Sequence, residues 1–238
     1  MNINVFVGWD SRESIAYDVC KFSIQKHCSQ ANITPLKLRD VRYNLLYTRP
    51  DDPLSSTEFT FSRFLVPIIC DYKGWAVFCD QDFLWLDDIS KLFEEVDDKY
   101  AVMVVKHDYT PKQKVKMEGK AQHQYPRKNW SSMVLWNCSH PSNKQVTVKT
   151  VNTETGQYLH RFAWLRDHEI GQINRSWNWL TDWYQEPKDG HPRALHFTLG
   201  GPWLNNYKDT KYADTWRRYF AEYNNSRELP ECIGERKR

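Results

Sequence analysis

The sequence predicts an α/β protein folded as a single domain, on three observations. Short apolar runs suited to strands alternate with amphipathic segments suited to helices from the N-terminus onward. Hydrophobic residues make up 40% of the 238 residues and aromatic residues 15%, which is ample for a sizeable core. No repeat, low-complexity block or linker divides the chain. We therefore expect one domain over residues 1–225 and a charged tail over 226–238.

In the first third of the chain, strands and helices alternate in the prediction. An apolar run at residues 3–9 predicts a strand, and the spacing of apolar residues over 11–27 predicts the helix that follows. Residues 32–40 predict a second strand. After a turn-rich loop, residues 57–72 predict a helix that ends near the next glycine. The run WAVFC at 75–79 then predicts a buried strand.

The middle of the chain continues this order and then interrupts it. A short amphipathic stretch precedes a predicted strand at residues 100–105. Residues 106–129 are polar and lysine-rich without clear periodicity, which suits either a solvated loop or a functional lid where an acceptor docks. A strand is predicted again at 130–138.

The last third predicts mainly helices with two short strands between them. Residues 140–165 predict helices joined by a turn at Thr155-Gly156. Short strands are predicted at 177–180 and 193–197, and an amphipathic helix at 213–225.

The net charge and the cysteine pattern argue against nucleic-acid binding and against a cysteine-based metal or redox site. The formal net charge of +3 suits an anionic small-molecule partner and is too small for a nucleic-acid-binding surface. The six cysteines show no C-x-x-C pair and no zinc-type spacing, so we interpret them as free thiols. We find neither a signal-peptide pattern nor a transmembrane segment. We therefore expect a cytoplasmic protein that is soluble or peripheral at a membrane surface.

Two aspartates follow the predicted buried strand at residues 75–79. Asp80 and Asp82 stand in the run AVFCDQDFLWL, with apolar residues on both sides. A buried carboxylate is costly unless it is paired, hydrogen-bonded or bound to a cation. In α/β sheets ligands bind beyond the carboxyl ends of the strands, where two carboxylates can bind Mg²⁺ or Mn²⁺. A pair of solvated turn aspartates is the alternative for any D-x-D pattern.

The order of seven motifs resembles a known enzyme family. The motifs are GWDSRE, STEFTFSRFLVP, VFCDQDFLWLDDI, WSSMVLWN, DHEIGQI, WNWL and HFTLGGPW, and they extend from residue 8 to 203. Their order is similar to that of nucleotide-sugar glycosyltransferases of the GT-A fold, nearest to the retaining family 8 enzymes that include glycogenin and bacterial galactosyltransferases. The resemblance implies a single-domain GT-A fold with a mixed central sheet flanked by helices.

The resemblance also implies a metal site and a donor site. Asp80 would contact the donor ribose and the metal, and Asp82 and His196 would be the other metal ligands, with Mn²⁺ or Mg²⁺ as cofactor. Asp10 would read the nucleotide base, although an aspartate favoured by a helix N-terminus is equally expected there. Arg63 would face the donor phosphate and sugar, and its rival role is a salt bridge to Asp80 or Glu58.

Near the transferred sugar, the resemblance implies catalytic roles for two further carboxylates. Asp167 in DHEIGQI would lie beside the reacting sugar, and Glu169 and His168 are the alternatives. Either carboxylate is a candidate nucleophile if retention proceeds through a covalent intermediate. The other route is attack by the acceptor hydroxyl on the same face of the sugar.

At two places the sequence departs from the family pattern. Trp130 and Ser131 stand where the family has an Asn-Ala-Gly turn, so sugar contacts there would differ and could include stacking on the indole. The family's lysine after the metal histidine is absent, and the Gly200-Gly201 amides would then help to bind the diphosphate, with Arg127 or Lys128 as further candidates.

The sequence thus predicts a metal-dependent glycosyltransferase that moves a sugar from a nucleoside diphosphate, UDP by the resemblance, to a hydroxyl acceptor with retention. The acceptor would be a glycan, a lipid-linked glycan or a protein. Two alternatives stay open: a carbohydrate- or nucleotide-binding protein of the same fold without turnover, and a D-x-D phosphatase. The position of the motif after a later strand argues against the phosphatase.

Overall fold

The residues that the structure describes form nine strands and six α-helices. A computed structural model describes residues 2–51, 55–108, 127, 129–185 and 191–228. The strands are β1 Asn4–Gly8, β2 Asn32–Leu36, β3 Trp75–Cys79, β4 Phe83–Trp85, β5 Val102–Val104, β6 Met133–Asn137, β7 Ile170–Gln172, β8 Trp179–Leu180 and β9 Ala194–His196. The helices are α1 Ser14–His27, α2 Leu38–Tyr43, α3 Val66–Ile69, α4 Val148–Thr153, α5 Gly156–His160 and α6 Ala213–Glu228.

The central sheet has six strands in the order β2-β1-β3-β6-β5-β7. Strand β1 pairs in parallel with β2 and β3, whereas β6 runs antiparallel to both β3 and β5. Strands β5 and β7 pair in parallel. The sheet is therefore mixed and flanked by helices, which confirms the predicted α/β fold.

Both faces of the sheet are buried. Alternate residues of β3 enter two separate apolar clusters, with Ala76 and Phe78 in one cluster and Trp75, Val77 and Cys79 in the other. A strand covered on both sides is expected to be apolar throughout, as WAVFC is. The carboxyl end of β3 is therefore rigidly held at the point where Asp80 begins.

A second sheet of three strands, in the order β4-β9-β8, lies beside this point. Strand β4 pairs with β9 in antiparallel register, with Phe83 opposite His196. The amide of Phe197 also donates to the carbonyl of Asp82 at 3.0 Å. This pairing brings Asp82, the second aspartate of the D-x-D motif, next to His196, which is distant in the sequence.

The predicted helix over residues 57–72 is wrong in length. The structure has a 3₁₀ turn at Ser62–Leu65 and the short helix α3 in its place. Pro67 explains why no single helix spans the segment: proline is tolerated only in the first turn of a helix, and α3 begins at Val66, one residue before it. After α3, Asp71 and Tyr72 adopt positive φ angles that end the helix.

Other boundaries also shift. The predicted strand at 32–40 stops at Leu36, and α2 follows it. The strand predicted at 177–180 begins only at Trp179, because Asn174 caps a 3₁₀ turn over Arg175–Asn178.

Several expectations concern residues at the edges of the described structure. Of the basic segment 106–129, the structure describes residues 106–108, 127 and 129, so the proposed lid lies largely outside the described residues. Helix α6 extends to Glu228, and residues 229–238 of the predicted tail are outside the description as well.

Five of the six cysteines are described, and all five are free thiols. No helix in the described ranges combines the length and apolarity needed to cross a bilayer.

Candidate active site

A cavity of about 550 Å³ opens where β1 and β3 end. Its volume lies in the range of small-molecule sites, and its position beyond the carboxyl ends of two parallel strands is where ligands bind in α/β sheets. The lining includes three carboxylates and two guanidinium groups, from Glu13, Asp80, Asp82, Arg12 and Arg63. This cavity is therefore the candidate active site.

All three predicted metal ligands meet at this cavity. Asp80, Asp82 and His196 each offer one ligand atom, and these atoms lie within 4.8 Å of one another. His196 Nε2 is 3.4 Å from Asp82 Oδ1, and the ring of Phe83 stacks on the imidazole with centroids 4.4 Å apart. The antiparallel pairing of β4 with β9 produces this arrangement.

A chain of hydrogen bonds fixes the orientation of the His196 ring. The carbonyl oxygen of Asn129 can only accept, so Ser132 Oγ donates to it at 2.7 Å. Asn178 Nδ2 donates to Ser132 Oγ at 2.9 Å, which leaves Asn178 Oδ1 to accept from His196 Nδ1 at 2.9 Å. In the neutral ring the proton is then on Nδ1, and the lone pair on Nε2 faces Asp82.

These residues fit a hard divalent cation. At metal sites, a histidine that binds the metal through one ring nitrogen usually donates a hydrogen bond from the N–H of the other nitrogen to an oxygen. Two carboxylates with one imidazole suit Mn²⁺, and Mg²⁺ to a lesser degree. The excess of carboxylates over guanidinium groups in the cavity also favours a cation. The group Asp80, Asp82 and His196 is thus a candidate metal site.

Removing the acceptor that orients His196 should weaken metal binding. Asn178 is fully buried, and Asn178→Leu keeps its approximate volume but leaves the Nδ1 proton without its acceptor. We expect the affinity for Mn²⁺, measured by calorimetric titration, to fall about 10- to 100-fold.

The control is Thr181→Val. The hydroxyl of Thr181 donates to the main-chain carbonyl of His196 at 3.3 Å and does not touch the ring, so this variant should bind Mn²⁺ as the wild type does. A folded Asn178→Leu variant with unchanged Mn²⁺ affinity would contradict the orienting role of Asn178.

Arg63 connects the candidate metal site, which is called the metal group below, to the central sheet. Its side chain is 7% exposed, and Nη1 donates to Asp80 Oδ1 at 2.7 Å and to the carbonyl of Ser131 at 2.9 Å. The guanidinium carbon lies 5.2 Å and 5.1 Å from the ring centroids of Phe59 and Phe78. The structure therefore shows the salt bridge to Asp80, and Arg63 also lines the cavity.

Asp10 caps the turn after β1. Its buried carboxylate accepts from the Arg12 amide, from the Arg12 guanidinium and from the Glu58 amide. Burial alone would raise the pKa of Asp10, but these hydrogen bonds and the Arg12 charge outweigh it and lower the pKa. The helix-capping role is thus present, and base recognition by Asp10 stays a prediction.

Trp130 and Ser131 are the residues predicted to contact the transferred sugar. Ser131 lines the cavity, and Trp130 is outside its lining. Ser131 Oγ is 2.7 Å from His160 Nδ1, and the indole of Trp130 donates to the carbonyl of His107 at 3.2 Å. The guanidinium of Arg127 lies 5.8 Å from the Trp130 ring. Trp130 is therefore held close to the cavity by its neighbours.

The two predicted catalytic carboxylates are outside the cavity lining. The side chain of Asp167 is 93% exposed and forms a salt bridge with Arg127. Glu169 accepts from Ser142 Oγ and from the Arg166 amide, and these bonds lower the pKa of Glu169. Catalytic roles for Asp167 and Glu169 stay predictions.

In the loop after β9, close packing requires glycine. A Cβ on Gly201 would approach the ring of Trp203 to 1.9 Å, and Gly200 has a φ of +143°. The Gly200 amide donates to the carbonyl of Phe197 at 2.9 Å, so this amide serves the turn. From this loop, Thr198 and Leu199 line the cavity. Binding of diphosphate by the Gly200-Gly201 amides stays a prediction.

The polar residues of this site that sequence reasoning missed include Glu13, His160 and Asn178. Glu13 and His160 line the cavity, and Asn178 orients the ring of His196. A signal for Asn178 was present, because an asparagine between two tryptophans in a predicted strand is a buried polar group that needs partners.

One protein in particular is similar to this chain in sequence. Protein CDI of Arabidopsis thaliana is 52% identical over 224 residues, which cover 92% of this chain and 86% of CDI. The chain belongs to the CDI family. No family model matches the sequence of this CDI-family chain.

Solved structures resemble the CDI-family chain in fold. The glycosyltransferase GlyE of Streptococcus pneumoniae TIGR4 has a TM-score of 0.63 at 14% identity, and the alignment covers 95% of this chain and 63% of GlyE. The galactosyltransferase LgtC, solved with donor and acceptor sugar analogues, has a TM-score of 0.57 at 12% identity, covering 92% of this chain and 96% of LgtC. Mouse xyloside xylosyltransferase 1 has a TM-score of 0.51 at 11% identity, covering 85% of this chain and all of that chain.

These likenesses establish the fold. The chain has the GT-A fold shared by these glycosyltransferases, and it spans less than two thirds of GlyE. The predicted GT-A architecture is confirmed, and membership of family 8 stays a prediction.

Proposed function

We propose that this protein is a nucleotide-sugar glycosyltransferase that depends on a divalent metal, with a UDP-sugar as donor and a hydroxyl group as acceptor. The observation that carries the proposal is the meeting of Asp80, Asp82 and His196 in the cavity of a GT-A fold. The glycosyltransferases that share this fold support the reaction class.

In this proposal the metal group holds the diphosphate end of the donor. Asp80, Asp82 and His196 would bind Mn²⁺ or Mg²⁺, which supplies positive charge to a diphosphate leaving group. Arg63 keeps Asp80 in place through its hydrogen bond, and Asn178 keeps the Nε2 lone pair of His196 facing the site. The chain's own contribution is to present these ligands in a preorganised geometry.

The remaining donor contacts follow from the positions of the predicted residues. Asp10 and the turn after β1 would lie at the nucleoside, and Ser131 with the adjacent Trp130 would lie at the transferred sugar. The Gly200-Gly201 segment, beside Thr198 and Leu199 in the cavity wall, would close over the diphosphate. Asp167 and Glu169 stay the candidates for contacts with the sugar or acceptor.

We further propose that transfer retains the anomeric configuration by attack of the acceptor on the same face as the leaving group. The carboxylates that line the cavity among the described residues are Glu13, Asp80 and Asp82, and two of these belong to the metal group. The exposed Asp167 is better suited to bind an acceptor than to form a covalent bond with a buried sugar. The acceptor would be a glycan, a lipid-linked glycan or a protein. The cytoplasmic location of the protein stays a prediction.

Calorimetric titration with nucleoside diphosphates tests the donor site directly. UDP, GDP, ADP and CDP are each titrated with Mn²⁺ present and again with excess EDTA. We expect tight binding of UDP with Mn²⁺ and a loss of at least about tenfold in affinity with EDTA. Equal UDP affinity under both conditions would contradict metal dependence, and preference for another base would contradict the UDP assignment.

A further inference from the structure

Glu13 is a carboxylate in the cavity to which neither the metal group nor the family resemblance gives a role. It lines the cavity together with Asp82 but does not belong to the three-residue metal group. Burial raises the pKa of Glu13, the hydrogen bond from Trp203 opposes this, and the nearby charge of Asp82 raises the pKa further. A partly buried carboxylate beside another carboxylate is unfavourable for folding, so its position needs an explanation.

One oxygen of the Glu13 carboxylate is fixed by an indole. Trp203 Nε1 donates to Glu13 Oε2 at 2.7 Å, a contact between two residues far apart in the sequence. The Trp203 ring packs so closely against Gly201 that a Cβ on Gly201 would clash with it. On another side it packs against Trp216, with ring centroids 5.4 Å apart. The carboxylate is therefore held in one orientation before any ligand binds.

The other oxygen, Oε1, has no hydrogen-bond partner in the part of the chain that the structure describes. A carboxylate oxygen only accepts hydrogen bonds, so a ligand group that contacts it must donate. The diphosphate of a nucleotide sugar is anionic and also accepts only, which makes contact with Glu13 unfavourable. The hydroxyl groups of the ribose and of the sugar are the donors that such a ligand offers.

We infer that Glu13 binds a hydroxyl group of the nucleotide sugar, on the ribose or on the transferred sugar, through its Oε1 atom. This inference rests on the proposed function, because it requires a nucleotide sugar in the cavity. Glu13 is then a specificity-determining residue, and Trp203 positions it.

The test compares a nucleotide sugar with analogues that each lack one hydroxyl. UDP-glucose, its 2′-deoxyribose and 3′-deoxyribose analogues, and its 2-, 3-, 4- and 6-deoxyglucose analogues are titrated with Mn²⁺ into the wild type, Glu13→Gln and Glu13→Ala. We expect the wild type to bind one analogue about tenfold more weakly than UDP-glucose, since the lost hydrogen bond is to a charged group. That analogue identifies whether the hydroxyl is on the ribose or on the sugar.

The variants separate binding from a structural role. Glu13→Ala should bind UDP-glucose and the identified analogue with equal affinity, and Glu13→Gln should discriminate between them less than the wild type does. The amide oxygen of glutamine still accepts from Trp203, so a purely structural role predicts wild-type discrimination in Glu13→Gln.

Glu95→Gln is the matched control. Glu95 Oε1 also accepts from a tryptophan, Trp177 Nε1 at 3.0 Å, but Glu95 lies outside the cavity lining, so its variant should discriminate as the wild type does.

Two results would overturn the inference in distinguishable ways. If the wild type binds UDP-glucose and all its deoxy analogues equally well, or if Glu13→Gln keeps the wild-type discrimination among them, Glu13 does not bind a hydroxyl and the proposed function is unaffected. If the wild type binds neither UDP nor UDP-glucose in the presence of Mn²⁺, the inference and the UDP-sugar proposal both fail.

Discussion

Replacing Asp82 with asparagine is expected to abolish metal-dependent sugar transfer while the fold stays intact. Asparagine has almost the same shape as aspartate but lacks the negative charge that binds a hard cation, and it would face the same nitrogen of His196. We expect kcat/KM to fall by at least about 100-fold, as when one preorganised electrostatic group is removed from an active site. Release of nucleoside diphosphate from the donor in the presence of Mn²⁺ measures this.

The control for Asp82→Asn is Asp97→Asn. Asp97 pairs with Lys99 at the surface and does not line the cavity, so this variant loses the same charge elsewhere on the protein. It should keep wild-type activity and wild-type thermal stability. Full activity in Asp82→Asn, with Mn²⁺ still required, would remove Asp82 from the metal site.

Replacing Arg63 with methionine is expected to destabilise the protein strongly. The guanidinium is buried, and its loss removes the Arg63 charge from the largely buried Asp80 and this donor from the Ser131 carbonyl. Breaking a buried pair by removing one partner costs about 3 kcal/mol or more. We expect a loss of this size in the free energy of unfolding, measured by urea denaturation in the absence of divalent metal.

Arg39→Met provides the comparison. Arg39 also pairs with an aspartate, Asp40, but its side chain is 82% exposed, so its replacement should change the free energy of unfolding by less than about 1 kcal/mol. Equal stability of the Arg63→Met and Arg39→Met variants would show that the buried pair does not hold the β3 end in place.

The position of the two candidate metal aspartates could be predicted from local sequence. An apolar run of five residues followed by D-x-D identifies a buried strand and its carboxyl end, and the structure has β3 there. His196 required the family resemblance, because only the pairing of β4 with β9 brings it to Asp82. Strand pairing between distant segments depends on tertiary packing, which short-range periodicity does not report.

The residues that support the ligands were less accessible to sequence reasoning. Asn178 acts through its side-chain orientation, which follows from the hydrogen bonds of Ser132 and His196 and not from its own neighbours in the chain. Glu13 is held in the cavity by a hydrogen bond from Trp203, a residue far from it in the sequence.

The overestimated helix at 57–72 is a different kind of error. There the decisive residue is local: Pro67 is tolerated only in a first helical turn, so one continuous helix over the segment is excluded.

The most direct test of the central claim is a panel of nucleotide sugars incubated with the protein and Mn²⁺, with released nucleoside diphosphate as the readout and with parallel reactions containing EDTA or Asp82→Asn. The account predicts release from one donor, here a UDP-sugar, that EDTA and Asp82→Asn both eliminate. No release from any donor, together with no nucleotide binding by calorimetry, would contradict it and show that the GT-A fold serves another purpose in this protein.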